Sequence, residues 1–166
     1  LNKIANIVLN VETQSYYIAG RDYTATITIY DDSGNIVTNY SGSVILKQSE
    51  ILYLMPASKY KEIQRAGLET SGDIVISNFI NGVAQFGFHY DDAGTIAFRV
   101  VDDSAGINSN YSHNLQFTPA YFDITISNIK DTAGIDFDFN VIAKSLNNET
   151  MPNYNSILTF SPIFIN

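Results

Sequence analysis

Tyr23-Thr24-Ala25-Thr26-Ile27-Thr28-Ile29-Tyr30 is the stretch that decides the fold class of this 166-residue chain. Apolar residues alternate with threonines along it, so an extended strand here has one apolar face and one polar face. The β-branched residues favour a strand over a helix. The sequence therefore predicts a half-buried β-strand over these eight positions.

Alternating segments of the same kind recur along the chain, separated by turn sequences. Asn81-Gly82, between two apolar runs, is the strongest hairpin signal. Further strands are predicted at Ile4–Val11, Ser43–Lys47, Ile74–Phe79, Val83–His89, Thr95–Val101 and Leu115–Phe117. About seven short strands in roughly 115 residues indicate an all-β fold, and specifically an antiparallel β-sandwich.

One segment departs from this alternation. Residues 56–66 contain good helix formers, with Pro56 where a first helical turn would lie and Gly67 just past its end. We predict a short helical insertion here, which is either a lid over one end of the sandwich or a recognition element.

The composition excludes several kinds of partner. Acidic residues outnumber basic ones 17 to 9, so a nucleic acid or an anionic membrane surface is a poor partner for a chain of net charge −8. Cys is absent, which excludes a disulfide framework and a thiolate metal site. No apolar stretch is long enough for membrane insertion. Asn occurs 17 times, and a surface rich in uncharged polar residues suggests an exported protein, extracellular or at the cell surface.

An internal repeat divides the chain. Ala19-Gly20-Arg21-Asp22-Tyr23 recurs as Ala133-Gly134-Ile135-Asp136-Phe137, and Asn39-Tyr40 recurs as Asn153-Tyr154 at the same offset of 114 residues. Self-similarity at a fixed offset indicates a tandem array. We predict a complete sandwich over residues 1–118 and an incomplete second repeat over residues 119–166. Strands of the second repeat are predicted at Phe122–Ser127, Phe137–Ala143 and Ile157–Phe160.

Three turn motifs surround the deciding strand: Ala19-Gly20, Asp32-x-Gly34-Asn35 and Asn39-Tyr40-Ser41-Gly42. Together they resemble tandem immunoglobulin-like repeats of bacterial and archaeal surface proteins, of the adhesin or pilus-associated type. The resemblance implies an immunoglobulin-like β-sandwich followed by a partial second immunoglobulin-like unit. It also implies a structural or adhesive role in an exported cell-surface or filament protein. The insertion at residues 56–66 is not typical of plain spacer repeats.

Catalytic chemistry is scarce in this sequence. Its two histidines, His89 and His113, lie outside any nucleophile or metal motif, and we interpret His89, at the end of an alternating strand, as a plain surface or rim histidine. The acidic residues form adjacent pairs in turns instead of facing each other across a cleft. We therefore predict a protein that is not an enzyme and has no resident cofactor.

Three turns carry pairs of aspartates. In an immunoglobulin-like topology Asp31, Asp32, Asp102 and Asp103 share one end of the sandwich, and Asp91 and Asp92 lie at the other, where the second repeat departs. Carboxylate clusters bind calcium, so either group is a candidate calcium site. Asp is also a favoured turn residue, which leaves a purely structural role open.

Two tyrosines near the predicted insertion are the candidate binding residues. Tyr53 and Tyr60 could stack on a sugar or anchor a protein interface. They are the basis of an alternative predicted function, that of a carbohydrate- or protein-receptor-binding β-sandwich module. Tyrosines at such positions also cap sandwich cores.

The incomplete second repeat suggests how the chain finds partners. A few isolated strands bury too little surface to be stable in water, so we expect residues 119–166 to be covered. Strand pairing with another protein or by self-association satisfies backbone groups and side chains together. Packing within one chain is the main alternative.

Overall fold

A computed structural model describes residues 3–55, 61–68, 71–126, 134–136 and 138–161 of the chain. These residues form an all-β protein with several mainly antiparallel sheets, which is consistent with a β-sandwich. They include a 3₁₀ turn at Gln48–Glu50 and no α-helix. The strands are β1 (Ile4–Val11), β2 (Tyr17–Ile18), β3 (Tyr23–Asp31), β4 (Val44–Leu46), β5 (Leu52–Tyr53), β6 (Gln64–Arg65), β7 (Ile74–Ile76), β8 (Val83–His89), β9 (Gly94–Ala97), β10 (Val101–Asp102), β11 (Ile107–Asn108), β12 (Leu115–Thr118), β13 (Tyr121–Ile126) and β14 (Phe139–Lys144).

The first sheet has the strand order β1-β3-β8-β6. Its strand β3 has the predicted alternation, since every second residue from Tyr23 to Asp31 is buried. Antiparallel pairing aligns Ile27 of β3 with Leu9 of β1 on one side and with Ala84 of β8 on the other. The deciding stretch of the sequence therefore lies between two strands of this sheet.

Two further four-stranded sheets have the orders β2-β12-β9-β5 and β11-β10-β4-β7. Few residues separate β9 from β10 or β11 from β12, and serine side chains continue the hydrogen bonding between them. The N–H of Phe98 donates to Ser112 Oγ at 3.1 Å, and the N–H of Val100 donates to Ser109 Oγ at 3.0 Å. The backbone groups left between the strand pairs are thus satisfied.

One apolar core joins strands from all three of these sheets. Aromatic rings fill much of it. Phe88 of β8 packs edge-to-face on Phe98 with ring centroids 5.2 Å apart, and Tyr17 packs the same way on Tyr23 at 4.8 Å. Burial of this apolar surface, at about 25 cal/mol per Å², is the main stabilisation of the first repeat.

The described part of the segment predicted as a helix contains a short strand and no helix. Gln64–Arg65 form β6, whose residues pair with His89 and Phe88 of β8, and residues 56–60 lie outside the described residues. The backbone of fully buried Ile63 is held in this conformation by hydrogen bonds on both its N–H and its carbonyl group. The side chain of Gln48 accepts from the Ile63 N–H at 3.0 Å and donates to its carbonyl oxygen at 2.7 Å, as a neighbouring strand would.

Asn81-Gly82 forms the predicted tight turn without a long hairpin. Both residues have positive φ, 51° and 78°, and the turn is closed by an antiparallel bridge between Ile80 and Val83. Beyond this bridge the chain separates, because β7 pairs with β4 in one sheet and β8 with β3 in another.

The second repeat contributes the hairpin β13–β14, close to two of its predicted strands. The third predicted strand, Ile157–Phe160, is not a strand. Its counterpart in the first repeat, β4, pairs with β10 and β7. The described part of the second repeat contains no equivalent of those two strands, so within it residues 157–160 have no strand partner.

The two repeats share their backbone geometry after the second strand. The bridge between Tyr30 and Ile36 recurs between Lys144 and Thr150, at the offset of 114 residues. Gly34 has a φ of 81°, and its counterpart Asn148 is also left-handed, at 63°. The internal repeat found in the sequence is therefore also a repeat of backbone geometry over this turn.

Candidate functional site at the joint between the repeats

The second repeat is held against the first by a joint, which comprises residues 18–22, Lys61, residues 89–93 and residues 145–153. The N–H of Leu146 donates to the carbonyl oxygen of Ala19 at 2.8 Å, and Asn147 Nδ2 donates to the carbonyl oxygen of Gly20 at 3.2 Å. Gly20 has a φ of +84°, and a Cβ at this position would lie 2.8 Å from the Leu146 nitrogen. Glycine is needed because both its φ and this close approach exclude a side chain.

Asp92 is the buried acid of the joint. Its side chain is fully buried, and its Oδ1 accepts hydrogen bonds from the N–H of Ala93 at 2.8 Å and of Asn153 at 3.1 Å. Burial raises the pKa of Asp92 above its ordinary value, although both hydrogen bonds act in the opposite direction. One carboxyl group thus connects the backbones of both repeats.

His89 lies between two further carboxylates. Its Nε2 is 3.3 Å from Asp91 Oδ2, and its Nδ1 is 3.1 Å from Asp22 Oδ1. The close approach of the Asp91 carboxylate raises the pKa of His89, and this effect outweighs the lowering caused by burial; Asp22 raises the pKa further. The arrangement favours an imidazolium ion at this position.

Asp91 connects His89 to the second repeat. Its Oδ1 accepts a hydrogen bond from Asn147 Nδ2 at 3.2 Å. Burial acts to raise the pKa of Asp91, but its interactions with His89, Ser145 and Asn147 outweigh burial, and the pKa lies below its ordinary value. Asp91 therefore stays ionised, and its carboxylate contacts side chains of both repeats.

Lys61 supplies a cation to the joint. Its Nζ donates to the carbonyl oxygens of Thr150 at 2.7 Å and Asp91 at 3.3 Å, and lies 3.5 Å from Glu149 Oε2. No pattern in the sequence indicates this role, because Lys61 belongs to the segment predicted as a helix. Its ammonium group connects the two repeats beside the aspartate pair.

Small apolar side chains fill the inside of the joint. They are Ala19, Ala93, Ala143 and Met151, with the ring of Tyr154 packed against them. Tyr154 also packs edge-to-face on Phe122 of β13, with ring centroids 5.3 Å apart. The joint thus has its own small core in addition to its polar contacts.

A cleft of about 700 Å³ opens beside this core. It lies between β9 and β12 of the first repeat and the start of the second. Polar residues in its lining include Gln116 and Asn155, and apolar ones include Met55, Phe122 and Tyr154. The cleft is therefore a surface to which both repeats contribute.

The other predicted calcium ligands serve turns and ion pairs. Asp31 Oδ1 accepts from the N–H of Asn35 at 2.8 Å within its own turn, and Asp32 is exposed. Asp102 Oδ2 accepts a hydrogen bond of 2.6 Å from the Tyr40 hydroxyl. Asp103 pairs with Lys47 at 2.7 Å. Within the described ranges, no three His, Cys, Asp or Glu residues form a group that could hold a metal ion.

The two candidate binding tyrosines are not brought together as a described site. Tyr53 is half-buried in β5, and its hydroxyl donates to the carbonyl oxygen of Lys61 at 2.9 Å. Tyr60 lies outside the described residues. Tyr53 thus holds the segment that contains Lys61 in place through this hydrogen bond.

The interpretation of His89 as a plain surface or rim histidine is wrong, because the side chain is buried. The alternation of side chains along β8 assigns His89 to the face of the sheet opposite Phe88. In a sheet that nothing else covers, that face is exposed to solvent. Here His89 lines a pocket together with Gly20, Leu68 and Leu146, and its own exposed fraction is only 4%. The acidic residues Asp91 and Asp22 are visible in the sequence, but only the tertiary fold brings their carboxylates close to His89.

Comparison with protein-family models, curated proteins and solved structures gave no match to the chain. Among the described residues, no helix has the length and apolar character needed to span a membrane.

Proposed function

We propose that the chain is a structural or adhesive immunoglobulin-like module of an exported cell-surface or filament protein, and that it acts by display and spacing without chemical turnover. The immunoglobulin-like assignment is supported by the strand orders, with β1, β3 and β8 in one sheet and β2, β12 and β9 in another. The motifs Ala19-Gly20 and Asn39-Tyr40 support the same assignment.

The joint is the observation that carries this proposal. Interfaces between independent domains are commonly mobile, but here Asp92 connects Ala93 and Asn153 through buried hydrogen bonds. Lys61 adds a second connection through Thr150 and Asp91. A module that sets the spacing of a displayed site needs such a fixed connection between successive units.

The joint is tested with a matched pair of substitutions at one position. Asp92→Ala removes the acceptor of two buried N–H groups, and each unsatisfied group costs about 1–3 kcal/mol. Cleavage of residues 119–161 by thermolysin should become at least about tenfold faster. Asp92→Asn keeps an oxygen acceptor and should have a much smaller effect. Equal cleavage of both variants and the unsubstituted chain would show that the joint does not fix the second repeat.

The location is tested separately. Antibody labelling and protease treatment of intact source cells should detect the protein at the cell surface or in filaments. Protein found only after lysis would contradict the location while leaving the result on the joint unchanged.

A carbohydrate- or protein-receptor-binding module is the second candidate function. The cleft beside the joint favours it, since both repeats line it and Gln116 and Asn155 offer exposed amide groups. A glycan array is the test for sugars. Selective binding that is lost in Gln116→Ala and Asn155→Ala, but kept in the distant control Tyr16→Ala, would support this function. No selective saccharide would leave the structural role as the better proposal.

A further inference from the structure

The two carboxyl oxygens of Asp92 have very different surroundings in the joint. Oδ1 accepts hydrogen bonds from the N–H groups of Ala93 and Asn153, at 2.8 and 3.1 Å. Oδ2 is buried and has no hydrogen-bond partner among the described residues. An ionised carboxylate can only accept hydrogen bonds. In the ionised form of Asp92, the charge on Oδ2 is therefore left without a stabilising contact.

Burial makes this ionised form costly. Asp92 is 0% exposed, so bulk water does not hydrate its carboxyl group. A buried acid that loses its hydration takes up a proton instead of remaining charged. Protonation of Oδ2 removes the charge and turns an acceptor without a donor into an O–H donor. The surroundings of Asp92 therefore favour the neutral carboxylic acid.

The nearby cation does not reverse this preference. Burial has the largest effect on the pKa of Asp92 and raises it, whereas the charge of Lys61 lowers it. The Lys61 ammonium group donates to the carbonyl oxygens of Thr150 and Asp91 and lies 3.5 Å from the Glu149 carboxylate. Its charge is therefore shared among several oxygens. The net result is a pKa of Asp92 above its ordinary value.

The remaining titratable groups of the joint form a separate network. They are Arg21, Asp22, His89, Tyr90, Asp91 and Glu149. His89 lies between two of the carboxylates, 3.3 Å from Asp91 and 3.1 Å from Asp22. Lys61 is the one charged side chain of the joint that acts on the pKa of Asp92. The environment of Asp92 is therefore set mainly by burial.

The second repeat contributes to that burial. Asn153 belongs to this repeat, and its N–H is bonded to Asp92 Oδ1. Ala93, the neighbour of Asp92, packs with Met151 and Tyr154 in the small core of the joint. An undocked second repeat would leave Asp92 without this N–H and without this cover. Docking thus moves one carboxyl group from a hydrated to a buried environment, which links docking to proton binding.

We propose that Asp92 takes up a proton when the second repeat docks, so that the joint is firmer in mildly acidic solution than at neutral pH. The sign follows from the linkage. A group whose pKa rises on docking favours docking fully below its ordinary value, about 3.9 for Asp. This contribution is lost as the pH rises through the value in the docked state. His89 acts in the same direction from about pH 6.5 upward.

The inference rests on the proposed function, because the joint is the observation that carries both. It adds a condition, the pH, under which the spacing between the two repeats is fixed. Asp91 sets the acid limit of this condition. Its pKa is lowered, so its contribution to the joint is lost when the pH falls below the ordinary range of Asp.

The proton itself is tested by carbon NMR on the full 166-residue chain, labelled at the side-chain carboxyl carbon of aspartate. The resonance of Asp92 is the one that disappears in Asp92→Asn. Its titration midpoint should lie above about 3.9. A midpoint at or below that value would overturn the proposal, since the carboxylate would then be satisfied in another way, for example by an ordered water molecule.

The link to docking is tested by amide hydrogen exchange of residues 145–153, corrected for the intrinsic effect of pH on exchange. Protection should fall as the pH rises from about 3.9 towards 6.5, by at most about tenfold per pH unit, the limit for one proton. Asp92→Asn keeps an oxygen acceptor but cannot ionise, so its protection should stay constant over this range. His89→Gln, a control within the same joint, should keep the decrease.

Three outcomes of the exchange measurement would contradict the inference. An equal decrease in Asp92→Asn would assign the proton to another group. High protection that does not vary with pH would leave the fixed joint, and with it the proposed function, in place while overturning proton uptake by Asp92. Low protection at every pH would contradict the proposed function itself and the inference together. Circular dichroism over the same range confirms that the strands of the first repeat stay folded.

Discussion

Asp31 in the first repeat and Ser145 in the second hold equivalent turns with different chemistry. Asp31 Oδ1 accepts hydrogen bonds from the N–H groups two and four residues later, at 3.0 and 2.8 Å. Ser145 Oγ accepts from the corresponding N–H groups, both at 3.2 Å. A carboxylate and a hydroxyl thus stabilise one backbone shape. The turn requires an acceptor at this position and does not require a charge.

Equivalent tyrosines at the end of this turn have different surroundings. The hydroxyl of Tyr40 donates to Asp102, and its ring packs on Phe79 at 4.7 Å. Burial and this hydrogen bond raise the pKa of Tyr40. Tyr154 packs instead on Phe122 and the small core of the joint. Local sequence is therefore enough to shape a turn, whereas the rest of the sandwich decides what the turn packs against.

The largest expected difference between the repeats is in their core positions. Ile27→Ala removes a fully buried side chain between β1 and β8 and should lower the free energy of unfolding by about 2–5 kcal/mol. Val141→Ala, at the equivalent position of β14, should lower it by less than about 1 kcal/mol, because Val141 is only half-buried. Urea unfolding followed by circular dichroism measures both. Similar losses would mean that the apolar side of the β13–β14 hairpin is covered in solution.

Two glycines provide a smaller comparison. Gly20 and Gly134 both have a φ of +84°, but a Cβ meets nearby atoms only at Gly20. Substitution by alanine costs about 1–2 kcal/mol at either position because of the left-handed backbone. Gly20→Ala should cost at least about 1 kcal/mol more and should expose residues 145–153 to hydrogen exchange. If Gly134→Ala has the same effect on those residues, the close approach at Gly20 is not what fixes the joint.

The joint should also respond to pH through His89. Its pKa is raised in the folded state, so its stabilising contribution is complete below about pH 6.5, the ordinary value, and is lost as the pH rises through the folded value. Asp91, with a lowered pKa, loses its contribution only in acid, as the pH falls below its ordinary range. Protection of residues 145–153 should therefore decrease as the pH rises above about 6.5, while that of β3 changes less. His89→Gln should remove this decrease; if it persists in that variant, His89 is not the group responsible.

The smallest expected effect is that of calcium. Oxygens of Asp31, Asp91, Asp92 and Asp102 already accept hydrogen bonds from the protein, and Ser145 supports the same turn without a carboxylate. Millimolar calcium should therefore shift the melting temperature by less than about 1 °C relative to EDTA. A shift of several degrees that disappears in Asp31→Ser, which copies the second repeat, would establish a calcium site.

Local patterns predicted much of the strand arrangement. β1 and β8 have the predicted bounds, since alternation and flanking turns are properties of neighbouring residues. The extended segment at β6 was not predictable in this way, because Gln48, far along the chain, imposes it. Helix propensity at residues 61–66 is a weak preference that tertiary contacts override.

The joint could be located from the sequence only approximately. The position of Asp91 and Asp92 after β8 placed them near the departure of the second repeat, and both contact it. Their partners could not be named, because Asn153 is distant in sequence and Lys61 comes from a third segment. Contacts of this kind depend on how three segments pack, and no local periodicity records that.

The parallel pairing of β2 with β12 has a mechanical consequence. Tyr17 is aligned with Phe117 and Ile18 with Thr118, and the Ala19 N–H donates to the Thr118 carbonyl oxygen at 2.9 Å. Tension applied between the start of β2 and the end of β12 pulls the two parallel strands in opposite directions along their length. Their hydrogen bonds are then strained in shear and must break together, whereas the bonds of a hairpin pulled open from its ends break one after another. Resistance to stretching is thereby concentrated immediately before the second repeat begins.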